Sequence, residues 1–192
     1  SMNRNINKLL AGFVVAAMAS SSAMAATLEF KDPTGDDNGP GTYIYPTDAV
    51  YSPGSFDITK VEISNSGKNM DIKVCVNSKL DDPWGMGVGF AVQMAFVFID
   101  TDRAPGSGHT EGIAGTNIRF APSDAWEKVV VLSPQQQSRV MSEAKMKAAD
   151  LLSSGDLLVP RKTLGKGKCL TGRVPLKDVA PVAASAMNPG GW

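Results

Sequence analysis

Several short stretches of this chain alternate apolar and polar residues. From Ile58 to Ser64 the residues Thr59, Val61 and Ile63 alternate with Ile58, Lys60 and Glu62, and from Met70 to Val76 the residues Met70, Ile72, Val74 and Val76 share one face. A period of two sends successive side chains to opposite faces of an extended chain. Both stretches are therefore predicted strands, joined by a hairpin turn at Ser66-Gly67-Lys68-Asn69. Val92 to Ile99 is instead continuously apolar apart from Gln93, which suits a central strand covered on both faces. Further strands are predicted at Asn117–Phe120, Glu127–Leu132 and Lys168–Val174. Short strands separated by Gly/Pro turns predict a mainly β fold, an antiparallel immunoglobulin-like or jelly-roll β-sandwich.

One α-helix is inserted in this pattern. Ser133-Pro134-Gln135-Gln136 carries the cap hydroxyl, the proline of the first helical position and the reciprocal glutamine of a helix start. Val140, Ala144, Ala148 and Leu151 then lay a narrow apolar stripe between charged residues, and Ser154-Gly155 stops the helix. The stripe fits packing on a sheet, and also fits a partner-binding face.

The start of the chain has a different character. Arg4 and Lys8 precede an uncharged apolar run from Leu9 to Ala19, followed by three serines and Ala23-Met24-Ala25. This is the pattern of a secretory signal peptide over residues 1–25, cleaved after Ala25. The run is too short for a membrane span of about 20 residues, so an integral membrane protein is not expected. Residues 26–192 are expected to form a single exported domain, periplasmic, secreted or on the cell surface.

Composition removes several function classes. The 192 residues hold 19 Lys and Arg against 19 Asp and Glu, so no long-range field favours nucleic acid. Loss of residues 1–25 would leave two more acidic than basic side chains. One His and two Cys cannot furnish a zinc site of the usual Cys/His type. In an oxidising compartment Cys75 and Cys169, each in a predicted strand, are expected to bridge, the other reading being two separate buried thiols.

Three candidate sites remain. Asp32, Asp36, Asp37 and Asn38 crowd a Gly/Pro-rich loop, where a hard cation such as Ca²⁺ would balance the carboxylates; ordinary turn roles explain the same residues. Asp100 and Asp102 open a second acidic loop that departs from a helix-loop-helix calcium loop, because Pro105 stands where glycine is required. Trp84, in the rigid turn Asp82-Pro83-Trp84-Gly85, offers an indole face to a sugar ring or packs over the end of the sandwich. Trp126 is the second aromatic candidate, and the start of a strand makes it a core residue as well. His109, the only histidine, is expected to be a solvated loop residue. No nucleophile, base and orienting group assemble from these motifs, so no enzyme is expected.

The string from Asp32 to Thr47, with Pro53-Gly54-Ser55-Phe56-Asp57-Ile58, Asp82-Pro83-Trp84-Gly85, Gly89-Phe90-Ala91-Val92-Gln93 and Phe98-Ile99-Asp100-Thr101-Asp102, resembles the glucodextranase C-terminal domain family. The resemblance implies a sandwich of the DOMON-like type, similar to family-nine carbohydrate-binding modules. It implies a non-catalytic domain that recognises carbohydrate or a cell-surface polymer, with structural calcium at Asp32, Asp36, Asp37, Asp100 and Asp102 and with Trp84 in the family's turn. Two alternatives stand beside it. One is a haem-b electron-transfer module using Met with Lys or His, for which Met86 and Met94 are present but unmarked by a motif. The other is a structural protein engaging another envelope protein. Family members continue past this chain's end, so a domain truncated at its C-terminus is also expected.

Overall fold

The structure, a computed structural model, describes residues 13–16 (backbone only), 27–32, 34, 54–102, 104, 106–114 and 118–179. Along the chain run β1 (Phe13–Ala16), β2 (Thr27–Lys31), β3 (Ile58–Ser66), β4 (Asn69–Val76), β5 (Ala95–Asp100), β6 (Lys128–Leu132), α1 (Gln137–Lys147), α2 (Ala149–Ser154), β7 (Leu157–Leu158), β8 (Thr163–Lys166), β9 (Cys169–Pro175) and α3 (Leu176–Val179). One sheet has the order β2-β3-β4-β9-β8 and is antiparallel throughout. The other has the order β1-β5-β6-β7.

The two sheets face each other across one core. Val61, Ile63, Ile72, Val74, Leu170 and Val174 of the first meet Val97, Ile99, Val130 and Leu132 of the second. Each such side chain, fully withdrawn from water, stabilises the fold by about 1.5–3 kcal/mol. Alternate residues of β5 and β6 point the other way. Phe98, Val129 and Val131 form a second core with Trp126, Leu157 and the stripe residues Val140 and Ala144. The smaller sheet is thus covered on both faces, which is why its strands read as unbroken apolar runs.

The sandwich with an inserted helix agrees with the expectation from sequence; several details differ. β6 and β7 are parallel, as are β1 and β5, so the smaller sheet is mixed rather than antiparallel. A parallel neighbour requires a crossover, and α1 with α2 supplies it between β6 and β7. The predicted helix start at Ser133 is displaced: the Ser133 hydroxyl accepts from the Gln135 N–H at 3.2 Å in a turn of its own, and α1 begins at Gln137 behind an uncapped Gln136. The helix is also broken at Ala148, where φ is −146°. It ends at Gly155, whose φ of 78° is the left-handed cap that glycine supplies.

Strict alternation also fails once in β3. The register shifts between Ile58 and Lys60, a bulge that leaves Thr59 as the extra residue. Ile58 and Val61 therefore both reach the core although they are three apart. The predicted strand at 117–120 is reduced, among described residues, to an isolated bridge between Glu111 and Arg119. β1 lies inside the apolar run read as a leader; cleavage after Ala25 would remove the backbone partner of β5 on that edge.

β4 and β9 are the joint between the two halves of the chain. Cys75 stands directly opposite Cys169, and the two are bridged across 94 residues with their Cα atoms 4.0 Å apart. On the outer face of the same sheet Arg173 forks onto both oxygens of Asp71 at 2.6 and 3.0 Å. Glu62 receives Lys60 at 2.9 Å and Lys73 at 3.2 Å.

Two outcomes are expected. Replacing both cysteines by serine should lower the unfolding free energy by about 4 kcal/mol in the chain-entropy limit, read as a shift in denaturant midpoint at constant slope. A loss under about 1 kcal/mol would mean that the β4–β9 register holds without the bridge. The second outcome concerns acid. Lys60, then Lys73, hold the Glu62 carboxyl at about 2, below its usual 4.5, so its contribution is fully present above about pH 4.5 and fades as pH falls toward 2. Glu62→Gln should flatten that part of the stability profile; an unchanged acid limb would count against the ion network.

Candidate functional site

The antiparallel pairing of β5 with β6 brings acids together from distant parts of the sequence. Ile99 stands opposite Lys128, and the Glu127 N–H donates to the Ile99 carbonyl at 3.0 Å. Asp100 and Glu127 therefore meet at one end of the strand pair. With Asp102 they place one carboxylate oxygen each within 4.8 Å of one another. Asp100 is buried, Glu127 half-buried and Asp102 exposed.

Local hydrogen bonds aim this cluster. Asp102 accepts from the Ser107 hydroxyl at 2.6 Å and the Ala104 N–H at 2.7 Å, and these hold its carboxyl below the usual value, in its charged form. Asp100 accepts from the Asp102 N–H at 3.1 Å, and Glu127 from the Thr101 N–H at 2.7 Å. Gly108 closes the loop at φ 79°; a Cβ there would lie 2.5 Å from the Glu127 Oε1. Three converging carboxylates are the donor type that a hard cation with oxygen ligands such as Ca²⁺ takes.

The sequence reading paired Asp100 and Asp102 with the first acidic loop. Asp32 is described, its N–H donating to the Thr59 carbonyl at 2.9 Å, and it is not a member of the cluster found among the described residues. Asp36, Asp37 and Asn38 lie outside the described residues. Glu127 was missed because its role comes from strand register, not from a local motif.

Trp84 is 59% exposed, and its turn is built by its neighbour. The Asp82 carboxylate accepts from the Met86 N–H at 2.7 Å through one oxygen and from the Gly87 N–H at 2.8 Å through the other. Both flanks of the loop are stitched to the β8–β9 hairpin: the Leu80 N–H donates to Gly167 and the Gly165 N–H to Val88, each at 2.7 Å. Leu80 and Phe90 are buried on either side. A large aromatic surface is thus held in water by a fixed frame.

Trp126 keeps only the core reading of its two, and its ligand-binding reading is corrected. Trp126 is fully buried, its indole N–H donating to the Glu111 carbonyl at 3.1 Å and its ring edge-on to Phe98 at 4.9 Å. It has no face for a ligand. Its size and single polar atom are both satisfied inside the second core. His109 keeps 39% of its side chain exposed but is tied down: Nε2 lies 2.8 Å from Asp156, and the ring centroid lies 4.6 Å from that of Trp126. Burial opposes ionisation of Asp156, but hydrogen bonds from His109, Lys128 and Ser154 outweigh it and lower its pKa. This cluster ties the 100–111 loop to the end of α2.

A family model described as the C-terminal binding module, SLH-like, of glucodextranase matches residues 27–178. The chain belongs to that family. No curated protein matches it significantly. The match runs from β2 through β9 and includes the helical crossover, Trp84, the acidic cluster and the disulfide. No described helix of the module is long and apolar enough to cross a membrane.

The Asp82 clamp gives a direct test. Asp82→Ala should leave the fold intact but speed amide exchange at Met86 and Gly87 by about 10-fold, taking roughly 1.5 kcal/mol for a hydrogen bond to a charged acceptor. Unchanged exchange would show that the turn holds itself.

Proposed function

We propose that this module is an exported, non-catalytic domain that recognises carbohydrate through the Trp84 turn, and that Ca²⁺ held by Asp100, Asp102 and Glu127 stabilises it. The exposed indole of Trp84 on the Asp82-clamped turn carries this reading. Apolar C–H faces of a sugar stack on an aromatic ring, and a turn whose backbone is already clamped loses little entropy on binding. Membership in a family of binding modules supports it, as do the leader-like residues 1–25 and the disulfide, which suits an oxidising compartment. Calcium would neutralise three converging carboxylates and fix the loop that His109 and Trp126 anchor from the other side.

The alternatives draw less support. A haem-b module needs Met with Lys or His as axial donors, whereas His109 Nε2 is engaged by Asp156 and Met94 is exposed at the surface. A partner-binding helix stripe is disfavoured because Val140 and Ala144 are already buried in the second core.

Retention on insoluble α- and β-glucans tests the reading. The chain should be retained by at least one polymer, and Trp84→Ala should weaken retention by about 10-fold or more, equivalent to ~1.4 kcal/mol. In a parallel melt, excess Ca²⁺ should raise the Tm of the parent chain but not of Asp102→Asn/Glu127→Gln. No retention on any glucan would overturn the carbohydrate reading; an unmoved Tm would remove calcium from it.

A further inference from the structure

A cleft of about 520 Å³ adjoins the Trp84 turn, lined by Gly85 and Met86 on one side and by Pro134, Gln135, Gln136 and Arg139 on the other. Its size falls within the range of roughly 300–1,000 Å³ typical of small-molecule sites. Gly85 follows Trp84 directly in the chain, so the cleft begins one residue from the exposed tryptophan. The second wall is equally fixed. Pro134 is buried, and the Gln137 side chain donates to the Val159 carbonyl at 2.9 Å, which moors the start of α1 to the segment just after β7.

The chemistry of the lining selects a ligand. The half-buried Met86 side chain offers apolar contact. The side-chain amides of Gln135 and Gln136 are exposed and make no hydrogen bond to another described residue. Each amide presents two N–H donors and a carbonyl acceptor, a set that matches hydroxyl groups, which both donate and accept. The charge around the cleft is compensated or negative. Arg139 Nε is bonded to Glu143 at 3.1 Å, Asp82 lies within the turn, and Asp81 is exposed next to it. The charged residue in the lining, Arg139, is already paired with Glu143, and the turn that forms the other wall contributes acids, not bases.

We propose that this cleft is the subsite for a neutral glycan segment, with Gln135 and Gln136 reading its hydroxyls while Trp84 stacks on an adjoining sugar. This assignment rests on the carbohydrate reading of the Trp84 turn and adds to it a second wall and a ligand class. It also assigns α1 a role beyond covering the sheet: its first turn and the segment before it complete the site.

Calorimetric titration of the full chain with soluble α- and β-linked glucose hexasaccharides, and with a galacturonate hexasaccharide, tests the assignment. At least one neutral oligosaccharide should bind, and the galacturonate should bind about 10-fold more weakly or not at all. Gln135→Ala/Gln136→Ala should weaken the neutral ligand by about 10-fold with an unchanged Tm, because both side chains are exposed. If Trp84→Ala abolishes binding while the double glutamine variant binds like the parent, the cleft is wrong and the carbohydrate reading stands. Tighter binding of galacturonate would overturn the ligand class. If the parent chain binds none of the oligosaccharides, both readings fall together.

Discussion

The pairing of β4 with β9 is the constraint on which the other parts depend. β4 sits at the middle of the five-stranded sheet, and its partner on one side arrives 94 residues later in the chain. Three interactions of different kind hold that pairing. The backbone ladder runs from Asn69 to Cys75, the disulfide closes one end, and the Arg173 fork on Asp71 fastens the outer face near the other. Gly172 shows how closely the layers pack there: a Cβ at that position would lie 2.6 Å from a Leu132 methyl of the facing sheet. Long-range closure of this kind is entropically costly, and the covalent bridge offsets part of that cost in the unfolded chain.

The Trp84 loop inherits its position from this joint. The β8–β9 hairpin is in place because β9 is, and the hairpin supplies the carbonyl and amide that grip the Trp84 loop at Leu80 and Val88. Asp82 then shapes the tip. On the other sheet, the antiparallel register of β5 and β6 converges the three carboxylates, and Gly108 lets the loop approach Glu127 closely enough to orient it. Both candidate sites lie on loops, while their positions are set by strands. This is the common division between a rigid scaffold and a functional surface.

Much of the scaffold was legible in the sequence because hydrophobic periodicity is a local signal. The β3–β4 hairpin, the doubly covered β5, the helix stripe ending at Gly155 and the Cys75–Cys169 bridge all follow from neighbouring residue types and compartment. What the pattern did not convey was tertiary. β7 has two residues, too few for a period, and is defined by its pairing with β6. The bulge at Thr59 shifts a face without changing composition. Glu127 looks like an ordinary strand-edge acid until register sets it beside Asp100. His109 shows the same limit: whether an imidazole in a loop-like stretch stands free in water or is tied down depends on what folds beside it, here Trp126 and Asp156. The cleft by Trp84 was invisible because its two walls are some 50 residues apart, a separation that no local pattern spans.

The most direct measurement is a backbone and indole amide map of the chain titrated with a soluble glucose oligosaccharide. A fixed aromatic platform with a second wall predicts that perturbed resonances gather in two stretches, 82–87 and 134–139, and include the Trp84 indole, while the buried Trp126 indole stays in place. Perturbations centred on the outer face of the five-stranded sheet, with Trp84 unmoved, would contradict the account and place recognition on the strands instead.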